Sequence, residues 1–204
     1  MGWKGGGVKE RPILFSGEMV RAILDGRKTQ TRRIVQQCRQ FQNWDGEQKD
    51  AYDVEEAEQP GAFHFLMAGD MGFTDPVPCP YGAPGDRLWV KETWAENDPP
   101  SGYLYRATDS VVGALKWRPS IFMSREASRI TLEIVSVRVE RVQDISGFEC
   151  LREGMPHPDG ATFGEAKDWF RDLWDSLNAG GGFGWNANPW VWAIEFKRIG
   201  KEAA

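Results

Sequence analysis

The nine residues "DGRKTQTRR", 25 to 33, set a lysine (Lys28) and a threonine (Thr31) three positions apart among arginines. A threonine hydroxyl becomes a nucleophile only when a base takes its proton. A lysine is such a base only when burial or neighbouring cations lower its pKa. Arg27, Arg32 and Arg33 are placed to disfavour a further positive charge. On spacing alone the alternative is a solvated helix-end lysine beside a strand threonine. A second candidate is Glu153 in "LREGM", in the last turn of a helix that stops at Gly154. The helix dipole disfavours an acid there, so Glu153 is either a surface acid or the partner of a cation from elsewhere in the chain. The third candidate is the loop "LKWRPSIFMSREASR", 115 to 129. Trp117 beside Arg118 joins a flat stacking surface to a planar cation, a pairing suited to nucleobases and phosphates. A core tryptophan next to a solvent arginine is the alternative.

Composition narrows the chemistry. The chain has 204 residues, 41% of them apolar and 27% charged, which fits one domain with a substantial core. With only His64 and His157, and Cys38, Cys79 and Cys150 far apart, no zinc spacing or disulfide framework is present, so metal-independent chemistry with no cofactor is expected. A net charge of −5 argues against a protein that coats nucleic acid. Six basic residues from Arg21 to Arg39 against the single acid Asp25 instead suggest one local site for a small polar or anionic ligand, or for one short nucleic-acid feature. No apolar run approaches the roughly 20 residues of a membrane span, and "MGWKGGGVKERP" lacks the apolar core of a secretory signal, so a cytoplasmic protein is expected.

The elements that must position these residues follow from periodicity and caps. Residues 1 to 11 read as a flexible leader. A short strand at Ile13 to Phe15 precedes a helix capped near Ser16 and stopped at Gly26. Residues 36 to 80 carry a block of acids and turn residues and read as an irregular insertion. "GDRLWVKETWA" and "GYLYRA" read as strands, as does "SRITLEIVSVRVERVQD", where the apolar phase shifts near Ile134 and Val135 in the manner of a bulge. Ser146 with Glu149 and Thr162 with Glu165 form capping boxes for two helices, and "PWVWAIEFKRI" is a closing strand. The order predicts a small α+β, barrel-like domain over residues 12 to 200 rather than a βαβ nucleotide fold.

Four motifs in order carry a resemblance: G-x-K-x-x-T-x-R (Gly26, Lys28, Thr31, Arg33), "PGDRLWVKETW" (84 to 94), "LREGM" (151 to 155) and "VWAIEFKRI" (191 to 199). Together they resemble the ASCH domain, and in style the ASCH proteins encoded by phages and prophages. The resemblance implies a PUA-like mixed β-barrel flanked by helices. Its small bacterial members are amidohydrolases that deacylate N4-acetylcytidine, which maps catalytic roles onto Lys28, Thr31 and Glu153. The expected substrate-binding residues are Arg27, Arg33, Trp89, Glu92, Trp117 and Arg118. The expected partner is a modified nucleoside, with binding of RNA or single-stranded nucleic acid as the alternative and a ribonuclease as a third reading. This chain is about twice the size of the minimal enzymes because of the insertion at 36 to 80 and the long 97 to 129 region.

Overall fold

The computed structural model describes residues 7–36, 51–67, 72–97, 102–110, 116–156 and 159–200. In chain order the elements are β1 (Glu10–Leu14), α1 (Gly17–Leu24), β2 (Gln30–Ile34), β3 (Ala51–Glu56), β4 (Ala62–Met67), β5 (Val77–Pro78), β6 (Arg87–Lys91), β7 (Trp94–Glu96), β8 (Tyr103–Tyr105), β9 (Thr131–Arg141), α2 (Gly147–Arg152), α3 (Phe163–Asn178) and β10 (Trp190–Ile199). This is a mixed α+β architecture. Its main sheet has the strand order β1-β6-β9-β10-β2, antiparallel except for the parallel pair β1 and β6.

The closing strand reads as a near-continuous apolar run because it lies inside the sheet with both faces covered. Trp192, Ile194 and Phe196 join the core formed with β1, α1, β6 and β9, while Val191 joins the cluster under α2 and α3. The expected bulge is present: Glu195 faces Ser136 and Phe196 faces Ile134, leaving Val135 unpaired and half exposed. One extra residue resets the phase, so Leu132 and Ile134 are buried before it and Val137 after it. The helix starts also match expectation. Ser16, Ser146 and Thr162 are the N-caps, the last two with complete capping boxes.

Three expectations need correction. The main sheet is not a closed barrel, since β1 and β2 are separate edges with no ladder between them. Instead the Arg33 side chain of β2 reaches over, donating from Nη2 to Leu14 O at 2.9 Å. Residues Glu10 and Arg11 of the supposed leader belong to β1, paired with Arg87 and Leu88. Residues 1–6, and 37–50 and 68–71 of the insertion, lie outside the described residues. Its described residues 51–67 and 72–80 carry a second sheet, β3-β4-β5. Phe63 and Phe65 of β4 meet Trp192 edge-on at 5.6 and 6.4 Å between ring centroids, contacts worth about 0.5–1.5 kcal/mol each beyond their buried area. Ala51 O accepts from Trp190 Nε1 and Arg141 Nη2, both at 2.8 Å, which fixes this sheet over the main one. No helix among the described residues is long and apolar enough to cross a membrane.

Candidate active site

Helix α1 ends at the Asp25 C-cap, and Gly26 takes a left-handed φ of 76° that only glycine adopts without strain. The reversed chain then donates from both Arg27 N and Lys28 N to Ala22 O, at 2.9 and 3.0 Å. Thr29 N continues to Arg152 O at 2.9 Å, joining this turn to the end of α2. There Glu153 is the C-cap and Gly154 has φ 98°. A Cβ on Gly154 would stand 2.9 Å from both Ala22 Cβ and Lys28 Cβ, so glycine is what lets the two segments touch.

That contact brings together two residues 125 positions apart. Lys28 Nζ donates to Glu153 Oε2 at 2.7 Å and to the Glu153 carbonyl at 2.8 Å. The lysine side chain is 0% and the glutamate 4% exposed. Burial pushes the Lys28 ammonium below its ordinary range, against the pull of Glu153 and with help from Arg33 and Arg32. The second oxygen of Glu153, Oε1, accepts from Arg32 Nη1 at 3.0 Å. Arg32 also donates from Nε to Glu140 Oε1 at 2.8 Å and lies 3.3 Å from Glu149 Oε1. Glu153 is therefore held between two cations.

Beside this network lies a cleft of about 700 Å³ along the seam between the sheet edges. Thr31, Arg32, Arg33, Glu153 and Tyr81 are among its polar lining. Thr31 is buried in β2 opposite Ile194, and among the described residues its hydroxyl has no hydrogen-bond partner. Phe15 and Met19 line one apolar side; Phe170, Leu173, Trp174 and Leu177 of α3 line the other. Lys28 stands behind Glu153 rather than in the lining, and it makes no hydrogen bond to Thr31.

Of the residues expected in the site, Lys28 and Glu153 meet directly, and Thr31 and Arg33 share the cleft with Glu153. The others do not line it. Arg27 ties the loop after α2, donating to Gly154 O at 3.0 Å and Met155 O at 3.1 Å. Glu92 is buried in a two-pronged pair with Arg129, at 2.9 and 3.0 Å. Arg118 stacks on Trp94, 5.2 Å from the ring centre, and pairs with Glu96. Trp89 is a half-buried β6 residue covered by Lys91, and Trp117 is half buried outside the cleft. Spacing did not single out Arg32, Tyr81 or the α3 wall. Strand alternation starts Arg32 on the face opposite Thr31, yet its long side chain also reaches the cleft lining, over the Phe170 ring. On α3, Leu173 and Leu177 line the cleft, and Leu177 is 59% exposed.

The arrangement suits acyl transfer: a free hydroxyl, a carboxylate backed by a lysine of loosened proton affinity, and a guanidinium in one concave site. Among the described residues no group of three or more His, Cys, Asp and Glu is arranged to hold a metal. Compared with family models, curated proteins and solved structures, the chain matched none.

Proposed function

We propose that the chain is an ASCH-type protein with a PUA-like curled sheet, and that it hydrolyses the amide of N4-acylated cytosine nucleosides. The observation that carries this reading is the buried 2.7 Å contact between Lys28 and Glu153 at the edge of a cleft that also holds Thr31. In this mechanism Thr31 Oγ1 adds to the acyl carbon. Its proton passes to the Glu153 carboxylate, which shares it with Lys28 through Oε2. Arg33 stabilises the developing oxyanion. The leaving cytosine N4 takes the proton as the C–N bond breaks, and water then cleaves the threonyl ester by the same groups in reverse. The α3 wall accommodates the acyl group, with room for chains bulkier than acetyl.

Incubating the purified protein with N4-acetylcytidine and following the ultraviolet change to cytidine tests the proposal. Turnover that is lost in Lys28→Ala and Thr31→Val supports it. An inert wild type, or a Lys28→Ala variant at full rate, defeats it. One observation favours a second reading, a non-catalytic binder of RNA or a modified base: Lys28 Nζ is already satisfied by Glu153 and does not touch Thr31. Salt-sensitive oligonucleotide binding without hydrolysis would identify that case.

A further inference from the structure

Arg32 is a buried cation on β2. Its guanidinium lies 5.8 Å from the Phe170 ring centre, and its side chain is 0% exposed. It meets three carboxylates on two segments: Glu140 of β9, and Glu149 and the C-cap Glu153 of α2. We propose that Arg32 is a positioning residue that holds the Glu153 carboxylate between two cations, and so sets how readily Lys28 exchanges its proton with the cleft. The proposal deepens the hydrolase reading and rests on it for its kinetic readout alone.

The geometry gives the argument two parts. First, orientation: with Oε1 engaged by Arg32 Nη1, Oε2 is left to face Lys28 Nζ, so the carboxylate cannot rotate freely. Second, charge: Glu153 facing Lys28 alone would bind the lysine's proton with its whole negative charge, and Arg32 shares that charge. The groups around Lys28 are Glu153 from the end of α2 and Arg32 and Arg33 from β2, with the Phe15 ring on the β1 side. Around Arg32 and Glu153 stand Glu140 and Arg138 from β9, Glu149 and Cys150 from α2, and Lys167 from α3 through Cys150. Glu195 of β10 closes the circuit by pairing with Arg138 and Arg152. With Lys28 charged, Lys28, Arg32 and Arg138 stand against Glu140, Glu149 and Glu153, and Arg33 adds a further positive charge on the Lys28 side. Removing Arg32 takes one positive charge from beside Glu153, whose remaining paired cation among the described residues is Lys28, while Glu140 and Glu149 keep Arg138.

The test follows the Lys28 amine directly in the full chain, by carbon NMR of labelled lysine, with the signal assigned through Lys28→Arg. Arg32→Met is expected to move the Lys28 titration up by about one pH unit or more, equivalent to a roughly tenfold loss of neutral lysine below it. Arg32→Lys, which keeps one charge but loses the fork, is expected to move it by less than half as much and guards against a methionine variant that does not fold. An unmoved or lowered titration in folded Arg32→Lys and Arg32→Met overturns the inference while leaving the hydrolase reading intact. A raised titration with no turnover of N4-acetylcytidine by wild type supports the inference and defeats the hydrolase reading. With both correct, the rising limb of kcat/KM against pH shifts by the same amount as the NMR curve.

Discussion

Glu153→Gln removes the carboxylate partner of Lys28, and the consequences can be worked from the contacts. Among the described residues Lys28 pairs with no other acid, so the variant leaves its ammonium with one neutral amide and the backbone carbonyl at 2.8 Å. Arg32 keeps Glu140 and Glu149. Breaking a buried pair by removing one partner costs about 3–5 kcal/mol. Lys28 relieves part of that by folding in its neutral form, so roughly 3 kcal/mol is expected. At about 2–4 °C per kcal/mol for a chain of this length, Tm falls by about 6–12 °C near neutral pH. The pH slope has a definite sign. Burial lowers the folded pKa of Lys28, and losing Glu153 lowers it further. Between that value and the unfolded pKa of about 10.4 the unfolded chain binds more protons, so the variant gains stability as pH rises through this window. Thermal unfolding by circular dichroism from about pH 6 to 10 reads both quantities. A Tm within about 2 °C of wild type, or stability that falls with pH over that window, refutes the reasoning that these residues form a buried coupled pair.

Thr31→Val keeps shape and burial while deleting the hydroxyl, and is expected to lower kcat on N4-acetylcytidine by at least roughly a thousandfold with Tm nearly unchanged; a loss under about tenfold would remove Thr31 from the nucleophile role. Leu177→Ala trims an exposed part of the cleft wall, so stability should change by no more than about 0.5 kcal/mol. KM for a benzoyl substrate should rise relative to acetyl in that variant, and an unchanged ratio would show that α3 does not meet the acyl group. Burial pushes the Cys79 and Cys150 thiols up to about 11, so iodoacetamide near neutral pH should leave both unmodified in the folded chain and label both after denaturation, as read by peptide mass spectrometry.

What could be read in advance was local. Ser146 with Glu149 and Thr162 with Glu165 are contacts within one turn, and the phase shift at Val135 is written in neighbouring residues, so caps and bulge were visible. The β3 and β4 pairing was not, because Asp53, Glu55 and Glu56 face outward on β3 and the acids masked the alternation that buries Phe63 and Phe65 on β4. In the site, Lys28 and Glu153 are each ordinary helix-end residues by spacing. Their meeting depends on a 125-residue closure, and the motif order suggested it only through the family resemblance. Arg32 was seen merely as part of a positive field, since counting charges does not reveal which way a strand residue points. The candidates of the 85 to 129 region lie outside the cleft lining, where Glu92 and Arg118 pair within their own neighbourhood, with Arg129 and Glu96.

Glu149 gives the molecule an economy with a mechanical side. One of its oxygens closes the capping box, accepting from Ser146 N and Oγ at 3.0 Å, and the other accepts from Arg138 at 2.6 Å and faces Arg32. Against the upward push of burial, Ser146 and Arg32 hold its carboxyl down to about 2, so it remains an anion throughout the working range. The knot that starts α2 is thus also a weight on the scale that balances Glu153 at the other end of the same short helix. A change at Glu149 would fray the helix and disturb the proton affinity of the cleft in a single stroke, so fold and chemistry here stand or fall on one side chain.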